Sequence, residues 1–278
     1  MKLQREISAG VAIPIVAAVL WFAPPWAFGM LVAILGLATL REFCRLAEAA
    51  GLPIPKWLVL LPAAGVLAAA AIPAVSPSGV VVAGGVFFLA ALFSAAELVS
   101  DAPLPLSLAG AGASLLGIAL VVLPFCGLMW LDRAYLPGAS EKFGARLVFF
   151  LFATIWSCDS FAYYVGRRFG KHKLAPEVSP KKTVEGAVGG LIGSVLVAPI
   201  VSMVFLPEFR PVEAALVGGL ASSAGQLGDL VESMFKRAAG VKDSGVFLPG
   251  HGGFYDRVDS LLFAVPVLCG AVLLKMAP

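Results

Sequence analysis

The sequence predicts an all-α, polytopic integral membrane protein of about nine transmembrane helices, with a cytoplasmic N-terminus. Three observations carry this. First, the 278 residues are 60% hydrophobic and only 13% charged, with a mean hydropathy of +0.95. A soluble domain carries roughly 25% charged residues, so this chain cannot cover its surface with polar groups in water. Second, the apolar runs are continuous and about twenty residues long, the length one helix needs to cross a bilayer while satisfying its own backbone. A membrane β-barrel would instead alternate apolar and polar positions. Third, with the N-terminus inside, all but five of the 20 Lys and Arg fall on the cytoplasmic side. The five are Arg133, Lys142, Arg146, Arg210 and Lys275.

The predicted spans cover 7–23, 26–40, 57–74, 80–98, 104–131, 146–166, 186–206, 212–235 and 256–276. The first has a basic start at Lys2 and Arg5 that mimics a signal peptide. Because further spans follow, it reads as an uncleaved helix. Pro24–Pro25 and Pro77 mark turns, while Pro14, Pro124, Pro199 and Pro266 lie inside spans, which lipid-embedded bundles tolerate. Residues 1–144 are almost purely apolar and read as anchoring helices that form a dimer face or line a lipid entrance. Residues 145–278 admit polar groups into the spans and read as the catalytic half, with cytoplasmic loops at 166–185 and 236–256. The four cysteines lie far apart in apolar runs and read as small hydrophobes. The net charge of +3 is too small to suggest nucleic acid.

In the eighth span Ser222, Gln226, Asp229, Ser233 and Lys236 share one helical face, with Glu232 beside them. A charge at mid-span costs about 2.5–3.5 kcal/mol, so the stripe must face partners, a metal or a water-filled cavity. Interhelical polar contact or a dimer face is the plainer alternative for Asp229. The sixth span carries Trp156, Asp159, Ser160 and Tyr163. Asp159 is either an ion-pair partner of a neighbouring helix or a member of the same site.

The loop that follows is basic. Arg167, Arg168 and Lys173 need no more than the positive-inside rule, and His172 reads as a loop residue. Ser179-Pro180-Lys181-Lys182-Thr183, with Glu185 and Gly186 opening a helix, is a phosphate-binding combination of ammonium groups, a hydroxyl and a helix N-terminus. Before the last span, Gly250, His251, Gly252 and Gly253 allow backbone amides to approach an anion. Asp256 and Asp259 follow on one face, with Arg257 adjacent. Carboxylates beside a glycine-rich turn and lysines indicate a metal-plus-phosphate site, and hard oxygen ligands favour magnesium over zinc.

The pattern Ser233-x₂-Lys236-Arg237-x₄-Lys242-Asp243-x₅-Pro249-Gly250-His251-Gly252-Gly253-x₂-Asp256-Arg257-x-Asp259 resembles the signature of phosphatidate cytidylyltransferases, also called CDP-diacylglycerol synthases. Trp156-x₂-Asp159-Ser160-x-Ala162-Tyr163 and Ser179-Pro180-Lys181-Lys182-Thr183-x-Glu185-Gly186 are similar to that family's other hallmark. The resemblance spans 156–259 only. It implies conversion of phosphatidate and CTP to CDP-diacylglycerol and pyrophosphate at the cytoplasmic side of the inner membrane, in a homodimer. It also implies Mg2+ held by Asp229 and Asp256, with K+ associated with the site.

Asp159 and Asp259 are then candidates for further ligands. Lys182, Lys236, Arg237 and Arg257 carry the remaining phosphate charge. Ser179, Lys181, Thr183, Glu185, Ser233, Lys242, Asp243 and the four residues Gly250–Gly253 bind substrate. The rival expectations are a CTP-dependent polyprenol kinase and a transporter using the Asp159/Asp229 stripe.

Overall fold

The computed structural model describes residues 18–72, 92–93, 102–245 and 252–276. Most of the first expected span, all of the fourth except 92–93, and the site candidates Gly250 and His251 lie outside the described residues. Among the described residues the main regular elements are eight α-helices, one π-helical turn and one two-stranded sheet. Among the described residues five helices are long and apolar enough to cross a membrane: Trp26–Ala49, Leu104–Asp132, Phe143–Phe169, Val184–Phe205 and Tyr255–Met276. The chain is thus a multi-pass helical membrane protein.

Helix α1 covers Pro25–Ala49. Pro25 occupies the first helical position, where its missing N–H costs nothing. Gly51, at φ 85°, closes the other end in a Schellman turn, with the Leu52 amide donating to the Ala47 carbonyl. The helix runs nine residues beyond the expected span. Arg41 and Arg45, which read as a helix end, lie exposed on its last turns, while Glu42 between them is buried.

Helix α2 (Lys56–Ala71) buries Val59, Ala63, Leu67 and Ala71. Helix α3 (Leu104–Gly117) continues through a π-turn at Ile118–Val122 into α4 (Leu123–Asp132). The widened turn immediately precedes Pro124, which cannot donate to the carbonyl four residues back.

Helix α5 (Phe143–Phe169) leads into an antiparallel hairpin of β1 (Lys173–Ala175) and β2 (Ser179–Thr183), pairing Lys173 with Thr183 and Ala175 with Ser179. The sequence reading had no strand there. Helix α6 (Val184–Phe205) starts at once, with the Gly186 amide donating to the Thr183 hydroxyl at 3.1 Å. Gly186, Gly189, Gly190 and Gly193 line one face of α6. A Cβ on any of them would collide with α5, at Ala162, Val165, Cys158 and Phe161 respectively. Small residues let membrane helices pack backbone to backbone where no hydrophobic force holds them together.

Helix α7 (Pro211–Ala238) is long but not among the five, and it carries Asp229, Glu232, Lys236 and Arg237. It too ends in a Schellman turn, at Gly240 with φ 68°. Helix α8 covers Tyr255–Met276.

The chain forms two compact units. The first joins Met1–Met129 with Phe235–Arg257, and its core includes Leu40, Phe43, Leu67, Val121 and Phe125. The second joins Trp130–Met234 with Val258–Pro278, around Leu147, Phe150, Leu151, Ala221, Ala264 and Leu268.

Candidate active site

The predicted site residues fall into two polar clusters, one in each unit. In the second unit Lys182, the penultimate residue of β2, pairs with Asp229 of α7 at 2.6 Å. The side chains keep 27% and 33% of their exposure, so neither is sealed off. Ser233, one turn on, places its hydroxyl 3.4 Å from the other oxygen of Asp229. Asp159 of α5 and Asp259 of α8 stand within electrostatic reach of both Asp229 and Lys182. Three carboxylates thus face one ammonium.

Close helix contacts hold this cluster together. A Cβ on Gly228 would strike the Asp259 carbonyl, and one on Gly225 would crowd Ser260. Gln226 donates from α7 to the Ala187 carbonyl of α6 at 3.1 Å. One turn earlier Ser222 and Ser194 share a buried hydrogen bond of 3.0 Å, and Ser194 also donates to the Thr154 carbonyl.

In the first unit residues 243–245 and 252–254, the described parts of the loop between α7 and α8, meet the start of α8. Lys236 pairs with Asp256 at 2.6 Å, and here the side chains retain only 12% and 11% exposure. The second oxygen of Asp256 accepts from the Ser244 amide (2.9 Å), the Ser244 hydroxyl (2.8 Å) and the Gly253 amide (2.8 Å). Gly252 has φ 74°, which brings Gly253 back onto Asp256, and a Cβ at 252 would lie 2.6 Å from that carboxylate. Both oxygens of Asp256 are therefore engaged.

Glu42 of α1 reaches the same loop. Its Oε2 accepts from the Tyr255 amide at 2.9 Å and lies 2.9 Å from the Ser244 hydroxyl, whose single proton it shares with Asp256.

Other predicted residues have local structural duties. Thr183 caps α6, and Glu185 accepts from the Lys171 and His172 amides and contacts His172 Nδ1 at 2.6 Å. These contacts tie the hairpin base to the start of α6. Arg237 donates to the Val241 carbonyl across the end of α7. Lys181, Lys242, Asp243 and Arg257 are exposed, and Ser179 is half-buried in β2. Glu42 and Ser244 were not among the expected residues. Ser244 stood inside the signature as a spacer, and Glu42 lies about two hundred residues away with no local pattern to single it out.

Among the described residues no three His, Cys, Asp or Glu side chains converge closely enough to enclose a metal by themselves. Mg2+ does not ask for that: it keeps waters and takes one or two carboxylates plus substrate phosphates. The Asp159, Asp229 and Asp259 carboxyl groups offer only hard oxygen donors, beside the single ammonium of Lys182. Its chemistry fits a divalent cation.

A family model described as "Cytidylyltransferase family" matches residues 3–274. The chain is 52% identical over 126 residues to a phosphatidate cytidylyltransferase of Staphylococcus saprophyticus, covering 45% of this chain and 48% of the relative. It is 48% identical over 128 residues to one of Bacillus subtilis, covering 46% and 48%. One of Staphylococcus haemolyticus is 50% identical over 131 residues, covering 47% and 50%. The chain spans about half the length of the curated relatives it matches.

Proposed function

Since the chain belongs to the cytidylyltransferase family, we propose that it transfers the cytidylyl group of CTP to phosphatidate, giving CDP-diacylglycerol and pyrophosphate. The observation that carries this reading is the pair of lysine–aspartate contacts, Lys182–Asp229 and Lys236–Asp256, which bring lysines of β2 and of the end of α7 onto carboxylates of α7 and α8. Asp229 falls inside an expected span, and an ionisable residue inside a span is a functional one by default. The named relatives carry the same activity in their names.

A phosphate oxygen of phosphatidate attacks the α-phosphorus of CTP, the bond to the β-phosphate oxygen breaks, and pyrophosphate leaves with the electron pair. The attacking group is part of the lipid, so no protein nucleophile is required. The protein's task is to bring two polyanions together. Lys182, whose ammonium is half-exposed on Asp229, is placed to move onto an arriving phosphate. Lys236 is held by Asp256 and presents a fixed positive charge. Arg257 and Lys242 are exposed and add to the attraction of the leaving pyrophosphate. Bound Mg2+, on the carboxylates of the family pattern (Asp229 and Asp256, with Asp159 and Asp259), would neutralise and align the CTP phosphates. Potassium, a homodimer and a cytoplasm-facing site at the inner membrane belong to the same proposal.

The test is purified protein with phosphatidate and CTP labelled at the α-phosphate. Lipid-soluble cytidine label and stoichiometric pyrophosphate are expected. Release of CDP with a newly phosphorylated lipid, or no CTP consumption at all, overturns the assignment.

A further inference from the structure

We propose that Glu42 is a positioning residue for the turn that carries Asp256, so that the apolar N-terminal half of the chain takes part in setting up the reaction. The inference rests on the transfer reaction proposed above.

Glu42 is only 6% exposed. Burying a carboxylate costs several kcal/mol unless its hydrogen bonds recover it, so an apolar residue would serve packing at less cost. One of its two oxygens, Oε2, accepts from the Tyr255 amide and contacts the Ser244 hydroxyl. The same hydroxyl is 2.8 Å from Asp256, which holds Lys236. A continuous polar chain therefore runs Glu42, Ser244, Asp256, Lys236.

Two glycines complete the fit. A Cβ on Gly245 would run into Glu42 Oε1, and one on Gly253 into Glu42 Oε2 and Ser244 Oγ. The neighbouring Phe43 ring lies edge-on to Phe235 at 5.3 Å and 6.2 Å from Tyr255. Helix α1 is thus fitted by contact and by shape to both ends of the loop. The role requires an oxygen acceptor at Oε2 rather than a charge.

The experiment compares Glu42→Gln and Glu42→Ala with the full parent chain in lipid–detergent micelles. It measures turnover with varied CTP, and amide exchange of 243–245 and 252–256. Glu42→Ala should lose about 10–100-fold in kcat, the usual cost of removing a group that orients a site residue. Its turn amides should exchange about tenfold faster with α5 and α6 unchanged. Glu42→Gln, which keeps the acceptor, should stay within about threefold of the parent on both readouts.

Unchanged kcat and exchange in Glu42→Ala overturns the proposal. So does a Glu42→Gln as impaired as Glu42→Ala, which would assign the role to charge. If Glu42→Ala fails to fold, Glu42→Gln still decides between these outcomes. If the parent chain itself forms no CDP-diacylglycerol, the reaction assignment fails, and the exchange comparison alone decides the positioning role.

Discussion

Lys182–Asp229 and Lys236–Asp256 have the same length, 2.6 Å, and opposite surroundings. Asp256 is well engaged: one oxygen holds the ammonium, and the other accepts from the Ser244 and Gly253 amides and shares the Ser244 hydroxyl with Glu42. Asp229 has one ammonium, one long serine contact, and two further carboxylates nearby. The first arrangement fixes a loop and can barely rearrange without breaking it. The second is electrostatically unbalanced and open, which is what a site exchanging a lysine for a cation or a phosphate needs. Two ion pairs of equal length therefore differ: Asp256 is held in a fixed geometry, whereas Asp229 is freer to exchange its partner.

Substitutions can break or sharpen that contrast. Asp256→Asn should have the largest effect, with turnover reduced by orders of magnitude together with a stability loss of about 3–5 kcal/mol, because the variant leaves Lys236 buried without its counter-charge. Thermal denaturation in micelles beside the CTP assay would check both; a variant that loses neither removes the structural role. Asp229→Asn should match it in lost turnover yet cost under about 1 kcal/mol, as its pair is partly exposed. Equal destabilisation of the two variants would erase the distinction.

Gly253→Ala comes next, with about 1–3 kcal/mol lost to overpacking against Glu42 and Ser244, again by thermal denaturation. Smallest is Asp159→Asn, which removes one of three repelling carboxylates and should leave stability within about 0.5 kcal/mol of the parent or above it. A loss of several kcal/mol in that variant would mean the cluster is balanced, and the contrast wrong.

The sequence made the helices legible because apolar runs, prolines and charged ends mark them independently. Spans six to nine came within a few residues of α5, α6, α7 and α8. The span expected at 26–40 stops before Arg41 and Arg45, which count there as cytoplasmic charges, whereas both lie exposed on the last turns of α1. The hairpin escaped because Lys173–Thr183 has no apolar alternation, and its strands are held by the capping of α6 and by Glu185 instead. The polar stripe on α7 was visible from its spacing. That Lys182 pairs with Asp229, and that Ser244 links Asp256 to Glu42, depends on contacts between distant segments that one sequence does not encode in any local period.

The span between Glu42 and Ser244 also bears on biogenesis. The two residues that meet are separated by 202 positions, which at synthesis rates of about 5–20 residues per second is roughly 10–40 s of translation. Helix α1 enters the membrane long before its hydroxyl and amide partners exist, so a carboxylate destined for burial waits through most of the chain's synthesis. During that interval, water, lipid headgroups or the insertion machinery must accommodate it.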